Sequence, residues 1–365
     1  MAKDLSTKSL IVIGGGIVGL VTAVAAQARG HSVTIVAPDS PEDTASGVAA
    51  GMIAPALEAL SEIDPVEGFK RLKAAQTLWL DLFSVWPSDL QMALEKAHAA
   101  PPPLLTWHAT EGEDPRGALD NMGATYKTLD ADSLRAGGLH FETQAAVEIE
   151  GDWLIEASST LRSLQAHFKG LGGQWRNARA AQVFAKSVTL LGAERLLADH
   201  VVIAAGYGAR AFSKEVPSLA VLSPIKGHLL DLPKTKGQGV VRSDQGYWAR
   251  YADLAKFGAT MQVGAEDMAI EPTIVANLKL RAKAMAAEIT GLDSAVPRVG
   301  IRASSPDGWP LIGRDAESGV YVATAMRRNG FVFAPLAAQL VLDLIDEQLD
   351  GKAYEAIGLY DPSRF

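Results

Sequence analysis

The sequence contains no cysteine, which removes disulfides, thiolate metal ligands, a thiol nucleophile and a cysteinyl cofactor link together. Its seven histidines never fall at H-x-H, H-x-x-x-H or H-E-x-x-H spacing, so no local metal motif exists. Positive charge is in deficit. The 34 Lys and Arg stand against 42 Asp and Glu, a net charge of -8, which argues against a nucleic-acid partner. Long apolar runs are missing too. Ile17 to Ala26 is too short to span a bilayer, and Phe331 to Ile345 is interrupted by Pro335, Gln339 and Asp343. Met1 to Ser9 is polar and has no signal-peptide core. These absences predict a soluble, cytoplasmic protein with no transmembrane segment. What is present is a chain of 365 residues, 48% hydrophobic and 21% charged, long enough for two domains and a sizeable core.

The chain is organised around Leu10 to Ala23, LIVIGGGIVGLVTA. Leu10 to Ile13 reads as a buried parallel strand. Gly14, Gly16 and Gly19 then give G-x-G-x-x-G at the opening of a helix that includes Ile17 and Val18 and runs to Ala28, and Ser32 to Ala37 reads as a second strand. In a βαβ unit the first glycine permits the tight turn, the second lets a pyrophosphate approach the backbone, and the third, with Ala23, lets helix and strand pack closely. The helix N-terminus offers free N–H groups to the phosphates. The motif in this context predicts a dinucleotide site. The acid that NAD-type sites place at the end of the second strand is missing: Ala37 stands there, and Asp39 comes late.

Pro41 to Pro55 is rich in small residues and aperiodic, with an apolar tail from Val48 to Ala56, and is read as a loop lying against a planar ligand. Helices are expected over Asp64 to Trp86, Ser88 to Ala99, Thr160 to Gly170, Pro272 to Ile289 and from Gly330 to about Leu349. Strands are expected over Val147 to Ile155, Trp175 to Phe184, Ser187 to Leu191, Leu222 to Leu232, Gly246 to Tyr251, Ala259 to Val263 and Val320 to Ala323. Asp199 to Ala209 reads as a parallel strand returning beside the first, ending in small residues. The fold class is α/β. A Rossmann-like dinucleotide domain (1–60, 145–215, 296–365) is interleaved with an α+β substrate domain (61–144, 216–295) built on a mostly antiparallel sheet.

Four blocks carry a family likeness: Gly14–Ala23; Thr44–Pro55 with Ser46 and Ala49-Ala50-Gly51-Met52; Val201–Gly206; and Gly300–Gly313 with Ala323–Pro335. Through them nearly the whole chain resembles the D-amino-acid oxidase and glycine oxidase family of FAD-dependent amine oxidoreductases. Ala325 and Met326 stand where that family often has Gly-His. The resemblance implies FAD as cofactor. Gly14, Gly16, Ile17, Val18 and Gly19 would meet the pyrophosphate, and Asp39 would lie at the ribose side. Thr44, Ala45, Ser46, Ala49, Ala50, Gly51 and Met52 would line the flavin, Val183 would lie near the adenine, and Ala205 and Gly206 beside the cofactor. Arg328, Asn329, Gly330, Phe331 and Val332 would approach the flavin pyrimidine edge. Arg302 falls where the family grips the substrate carboxylate, with a salt bridge to Asp307 as its bland alternative.

The implied reaction is oxidative deamination of a small amino acid, glycine or an N-substituted glycine (sarcosine, iminodiacetate). Hydride would pass from Cα to flavin N5, and imine hydrolysis would give glyoxylate, with H2O2 if oxygen is the acceptor. An arginine paired bidentately with the carboxylate fixes that geometry. Tyr247, Trp248, Arg250 and Tyr251 occupy the region of the active-site roof. A second cation beside Arg302, from Arg250, Arg327 or Arg328, would favour a dicarboxylate. His228 is read as a core histidine or a site residue. The alternative function is a D-amino-acid oxidase or dehydrogenase with a larger pocket. The partners implied are a small amino-acid or amine substrate and oxygen or another electron acceptor. Assembly into a homo-oligomer is left open.

Overall fold

A computed structural model describes residues 7–38, 40–83, 86, 88–98, 101–108, 113–139, 141, 145–348 and 358–365. Asp39 therefore lies outside the described residues. The first strand, β1 (Ser9–Ile13), places Leu10 to Ile13 almost wholly out of water. It pairs in parallel with β2 (Ser32–Ala37) on one side and with His200–Ile203 on the other, so the expected returning strand lies beside the first. The full sheet has six strands, in the order Leu311–Arg314, Tyr321–Thr324, His200–Ile203, β1, β2, Gln174–Asn177. Only the edge strand Leu311–Arg314 runs antiparallel. Strands buried on both faces need apolar residues at every position, which is why β1 shows no alternation.

Helix α1 (Ile17–Ala28) packs against this sheet, and the helix Gly330–Ile345 packs along α1. Gly330–Ile345 carries Pro335 in its interior, which cannot donate to the carbonyl of Phe331. That carbonyl is not orphaned: Trp79 Nε1, from the helix Pro65–Phe83, donates to it at 2.8 Å. One buried indole thus ties two helices together.

The second sheet has nine strands and is mostly antiparallel. Its centre is Ser223–Pro233, flanked by Val296–Ser304 and Leu254–Gly258, followed by Gly246–Arg250 and Gly239–Ser243. Ala145–Ile149 and Val296–Ser304 pair in this sheet, although the sequence division placed both with the dinucleotide domain. One face of the sheet is covered by the helix Pro272–Met285 over Leu230, Trp248 and Phe257. The other face turns Tyr247, Ala249 and Tyr251 toward Ala50 and Met52. Alternation along the strand Gly246–Arg250 sends neighbouring side chains to opposite faces, so that one strand serves the core and the site at once.

Several element boundaries differ from the expectation. Val147–Ile155 is broken into two strands by a turn at Gly151, whose φ of 82° is left-handed. Trp175–Phe184 is likewise divided, into Gln174–Asn177 and Ala180–Phe184. The small-residue loop contains a short helix, Ala45–Val48, capped by Thr44, then a two-residue strand Met52–Ile53 and a helix Pro55–Ala59. The expected strand over Ala259–Val263 is only Gln262–Val263, with Leu254–Gly258 preceding it. The final helix stops at Ile345. No helix among the described residues is long and apolar enough to cross a membrane.

Candidate functional site

At the C-terminal edge of the parallel sheet the β1–α1 turn is tight enough to exclude side chains. A Cβ on Gly14, whose φ is 118°, would stand 2.4 Å from the carbonyl oxygen of Ala204, and one on Gly19 would stand 2.0 Å from that of Gly14. Gly16 is the N-cap of α1 and offers no side-chain cap. Ile17 N donates to Ser46 Oγ at 3.1 Å, which ties the helix start to the loop. The N-terminus of Gly330–Ile345 arrives at the same place, with Gly330 against Ile17. Its N-cap, Asn329, is 5% exposed, and Asn329 Oδ1 is buried with no hydrogen-bond partner. Two helix N-termini and an orphaned acceptor thus face one cleft. The turn before Asn329 is strained: Ala325 and Arg327 hold φ of 60° and 50° without being glycine. Arg327 N donates to Ala303 O at 2.8 Å, fastening this turn to the strand that carries Arg302.

The loop from Thr44 to Met52 is pinned backbone-first. Gly47 N donates to Thr44 Oγ1 at 3.2 Å, the buried Lys256 ammonium donates to Val48 O at 3.0 Å, and the Tyr251 hydroxyl donates to Ala50 O. Gly51 has φ of 71°, and a Cβ there would stand 2.1 Å from Ile155 O. Against the loop lies Gly300, where a Cβ would come within 3.3 Å of Ala45 Cα. Ala205 and Gly206 follow the strand beside β1, and Thr324 Oγ1 donates to Gly206 O at 2.9 Å. Val183 is fully buried in the small sheet formed by Ala180–Phe184, Ser187–Leu190 and Arg195–Leu197.

Arg302 stands opposite Ile225 in the central strand pair, and its guanidinium lies over Gly227. It makes one weak bond, Nη1 to Thr260 O at 3.4 Å, and among the described residues it has no ion pair. The salt bridge to Asp307 does not form, because Asp307 is held by Arg364 at 2.9 Å. Burial lowers the Arg302 pKa, opposed by the nearby Tyr247 and Glu58. Tyr247 pairs with Gly258, and its hydroxyl has no hydrogen bond to another described residue. Burial pushes its pKa up to about 12, with Arg302 pulling the other way, so the phenol stays protonated as a donor.

Arg250 is not in this cleft. It lies three residues from Tyr247 on one strand, so it leaves by the opposite face and stacks on Trp248 at 4.7 Å. His228 also faces away from Arg302: it is fully buried, and its Nε2 accepts from Glu271 N at 3.3 Å. Arg328 lies close enough to Arg302 to act on its charge, and both Arg328 and Arg327 are held in ion pairs. Arg328 bonds the Glu58 carboxylate through Nε, with Nη2 at 2.8 Å from Glu58 O and 3.0 Å from Glu62 Oε1. Arg327 pairs with Glu62 at 3.1 Å. Arg242, opposite Tyr247 in the strand pair, completes the cluster at 3.2 Å from Glu58 Oε1. Burial raises the Glu58 pKa, but Arg242 and Arg328 outweigh it and hold the carboxyl below its ordinary value.

A family model described as FAD dependent oxidoreductase matches residues 9–344. The chain belongs to that family. It is 27% identical to the tRNA 5-methylaminomethyl-2-thiouridine biosynthesis bifunctional protein of Polaromonas naphthalenivorans, over 91% of this chain and 55% of that protein. It is 25% identical to the bifunctional protein ThiO/ThiG of Trichormus variabilis, over 94% of this chain and 53% of that one. The chain thus spans about half the length of these curated relatives. Among solved structures it is similar to glycine oxidase from Geobacillus kaustophilus, with a TM-score of 0.81, 21% identity and coverage of 98% and 99% of the two chains. It is also similar to iminodiacetate oxidase from Chelativorans sp. BNC1, with a TM-score of 0.75, 20% identity and coverage of 97% and 98%. The fold is that of these two structures.

FAD is the cofactor of this FAD-dependent oxidoreductase, and the residues present suit it. The glycine cradle has no room for a Cβ, two helix N-termini suit a pyrophosphate and an electron-rich ring edge, and the Asn329 acceptor is buried without a partner. Sequence reading missed Gly227, Gly258, Arg242, Glu58 and Glu62. Gly227 and Gly258 had a signal, since a glycine inside a strand marks close approach. The charged partners had none, because Glu58 and Arg328 are 270 positions apart.

Proposed function

We propose that this FAD-dependent oxidoreductase oxidises a small amino acid at its α-carbon. The substrate is glycine or an N-substituted glycine, such as sarcosine or iminodiacetate, and the product imine hydrolyses to glyoxylate and ammonia or an amine. The observation that carries the reading is Arg302, a half-buried guanidinium over Gly227 with no ion pair among the described residues and one weak bond, from Nη1 to Thr260 O. Such a guanidinium takes a carboxylate through two parallel hydrogen bonds and fixes the attached α-carbon against the cleft floor. The Tyr247 hydroxyl, protonated and without a hydrogen bond among the described residues, supplies a further donor beside it. Glu58 is held ionised with its oxygens taken by arginines, so it is not free to collect the substrate's proton. Bound FAD supplies the two-electron acceptor, re-oxidised by oxygen or another acceptor.

The family match and the similarity to a glycine oxidase and an iminodiacetate oxidase support this reading. The test is a panel of glycine, sarcosine, iminodiacetate and D-alanine, followed for glyoxylate, pyruvate and peroxide. Glyoxylate from one of the first three supports the proposal. Turnover of D-alanine alone points to the larger-pocket D-amino-acid oxidase. A second reading follows from the relative whose name concerns a methylaminomethyl nucleoside in tRNA: a secondary amine carried on a larger molecule. The net charge of -8 is unfavourable for a polyphosphate backbone.

A further inference from the structure

Five charged side chains form a cluster whose Glu58 and Arg328 lie close enough to Arg302 to act on its charge: Arg242, Arg327, Arg328, Glu58 and Glu62. Their geometry decides how many carboxylates a substrate can present. A guanidinium grips a carboxylate well only when two N–H groups of its fork are free. Arg328 spends Nε and Nη2 on Glu58 and Glu62. Arg327 spends Nη1 on both oxygens of Glu62, at 3.2 and 3.1 Å. Arg242 spends Nη1 on Leu57 O and Glu58 and Nη2 on Ser61 Oγ. Drawing Arg328 away to an incoming anion would leave Glu58, which is 3% exposed, with Arg242 as its remaining ion-pair partner among the described residues. The three arginines and two glutamates leave one formal positive charge, spread over guanidiniums that each already hold a protein carboxylate.

We propose that Glu58 and Glu62 act as specificity-determining residues, restricting the enzyme to substrates with a single carboxylate by occupying the arginines that would bind a second. Arg302 is then the one carboxylate anchor, and glycine and sarcosine outrank iminodiacetate. This rests on the reading that Arg302 grips the substrate carboxylate. It runs against the possibility raised by the sequence that a second cation beside Arg302, from Arg250, Arg327 or Arg328, would favour a dicarboxylate.

The test uses the FAD-loaded enzyme with sarcosine and iminodiacetate, in wild type and in Glu62→Gln. The wild type is expected to show kcat/KM at least tenfold higher for sarcosine. Glu62→Gln frees Arg327 and one arm of Arg328, and is expected to raise the iminodiacetate-to-sarcosine ratio at least tenfold. A wild type that takes iminodiacetate as well as sarcosine overturns the proposal, as does an unchanged ratio in the variant. A second measurement needs no variant: titration of the wild-type flavin absorption bands with propionate and with succinate. The proposal expects dissociation constants within about threefold of each other, and succinate binding tenfold tighter overturns it. If sarcosine is oxidised but the dicarboxylates do as well, only this inference falls. If no carboxylate perturbs the bands and no amine is oxidised, the Arg302 grip falls and takes this inference with it.

Discussion

Gly227→Ala separates the grip of Arg302 from the stability of the fold. Gly227 lies in the central strand outside the left-handed region, so alanine meets no backbone strain. The new Cβ would stand 2.3 Å from Arg302 Nη1 and 2.8 Å from both Cζ and Nη2. Ordinary contact begins at about 3.5 Å, so the guanidinium must retreat by about 1 Å. The far end of an arginine moves cheaply, and alanine loses less backbone entropy than glycine on folding, by about 0.4–1 kcal/mol. Stability should therefore stay within about 1 kcal/mol of wild type. A displacement of about 1 Å at a positioning group is worth about 100-fold in rate. The expected result is a kcat/KM lower by about 100-fold for the best amine, with unchanged FAD content and melting temperature. The assay is steady-state oxidation with thermal unfolding of the same preparation. A Gly227→Ala enzyme with wild-type kcat/KM would refute the reasoning, because the guanidinium could then be moved without consequence.

Gly19→Ala sets helix propensity against collision. Alanine gains about 1 kcal/mol in a helix interior, but its Cβ would stand 2.0 Å from the backbone oxygen of Gly14, which cannot yield without opening the turn. The protein should purify with FAD content reduced at least tenfold, read from the flavin-to-protein absorbance ratio, and full loading would contradict the cradle. Asp152 gives a pH prediction. It is buried, accepts from Ala56 N at 3.1 Å and Leu57 N at 3.0 Å, and burial outweighs these bonds to raise its pKa from 3.8 to about 7. Between those values the folded state keeps a proton that the unfolded state releases, so the group's contribution falls as pH rises, by about 1.4 kcal/mol per unit. Below 3.8 and above about 7 it is constant. Asp152→Asn should be less stable at low pH but lack this slope, and parallel wild-type and variant stability curves from pH 4 to 8 would rule it out.

The β1–α1–β2 unit was legible because its signals are local: a buried run, three glycines at fixed spacing and a helix. The strand His200–Ile203 was legible for the same reason. The roof was half legible. Trp248 and Tyr251 sit where alternation sends them, and the same rule separates Arg250 from Tyr247, since residues three apart on a strand cannot share a face. The composition of Pro41–Pro55 suggests a loop against a ligand, but not its short helices, because four or five residues carry no periodicity. The neutralisation of Arg327 and Arg328 was beyond any local reading. It depends on the helix Pro55–Ala59 being brought under the start of the final helix, a matter of tertiary packing alone.

The central claim is that Arg302 holds the carboxylate of a small amine substrate in an FAD enzyme. The most direct measurement is anaerobic bleaching of the flavin absorption bands by sarcosine, in wild type and in Arg302→Met, both loaded with FAD. Losing a charge-assisted bidentate pair costs about 2–5 kcal/mol. Wild-type bands should bleach fully, and the variant should bleach at least 30-fold more slowly at the same subsaturating sarcosine while holding FAD equally well. Bleaching of Arg302→Met at the wild-type rate would contradict the account.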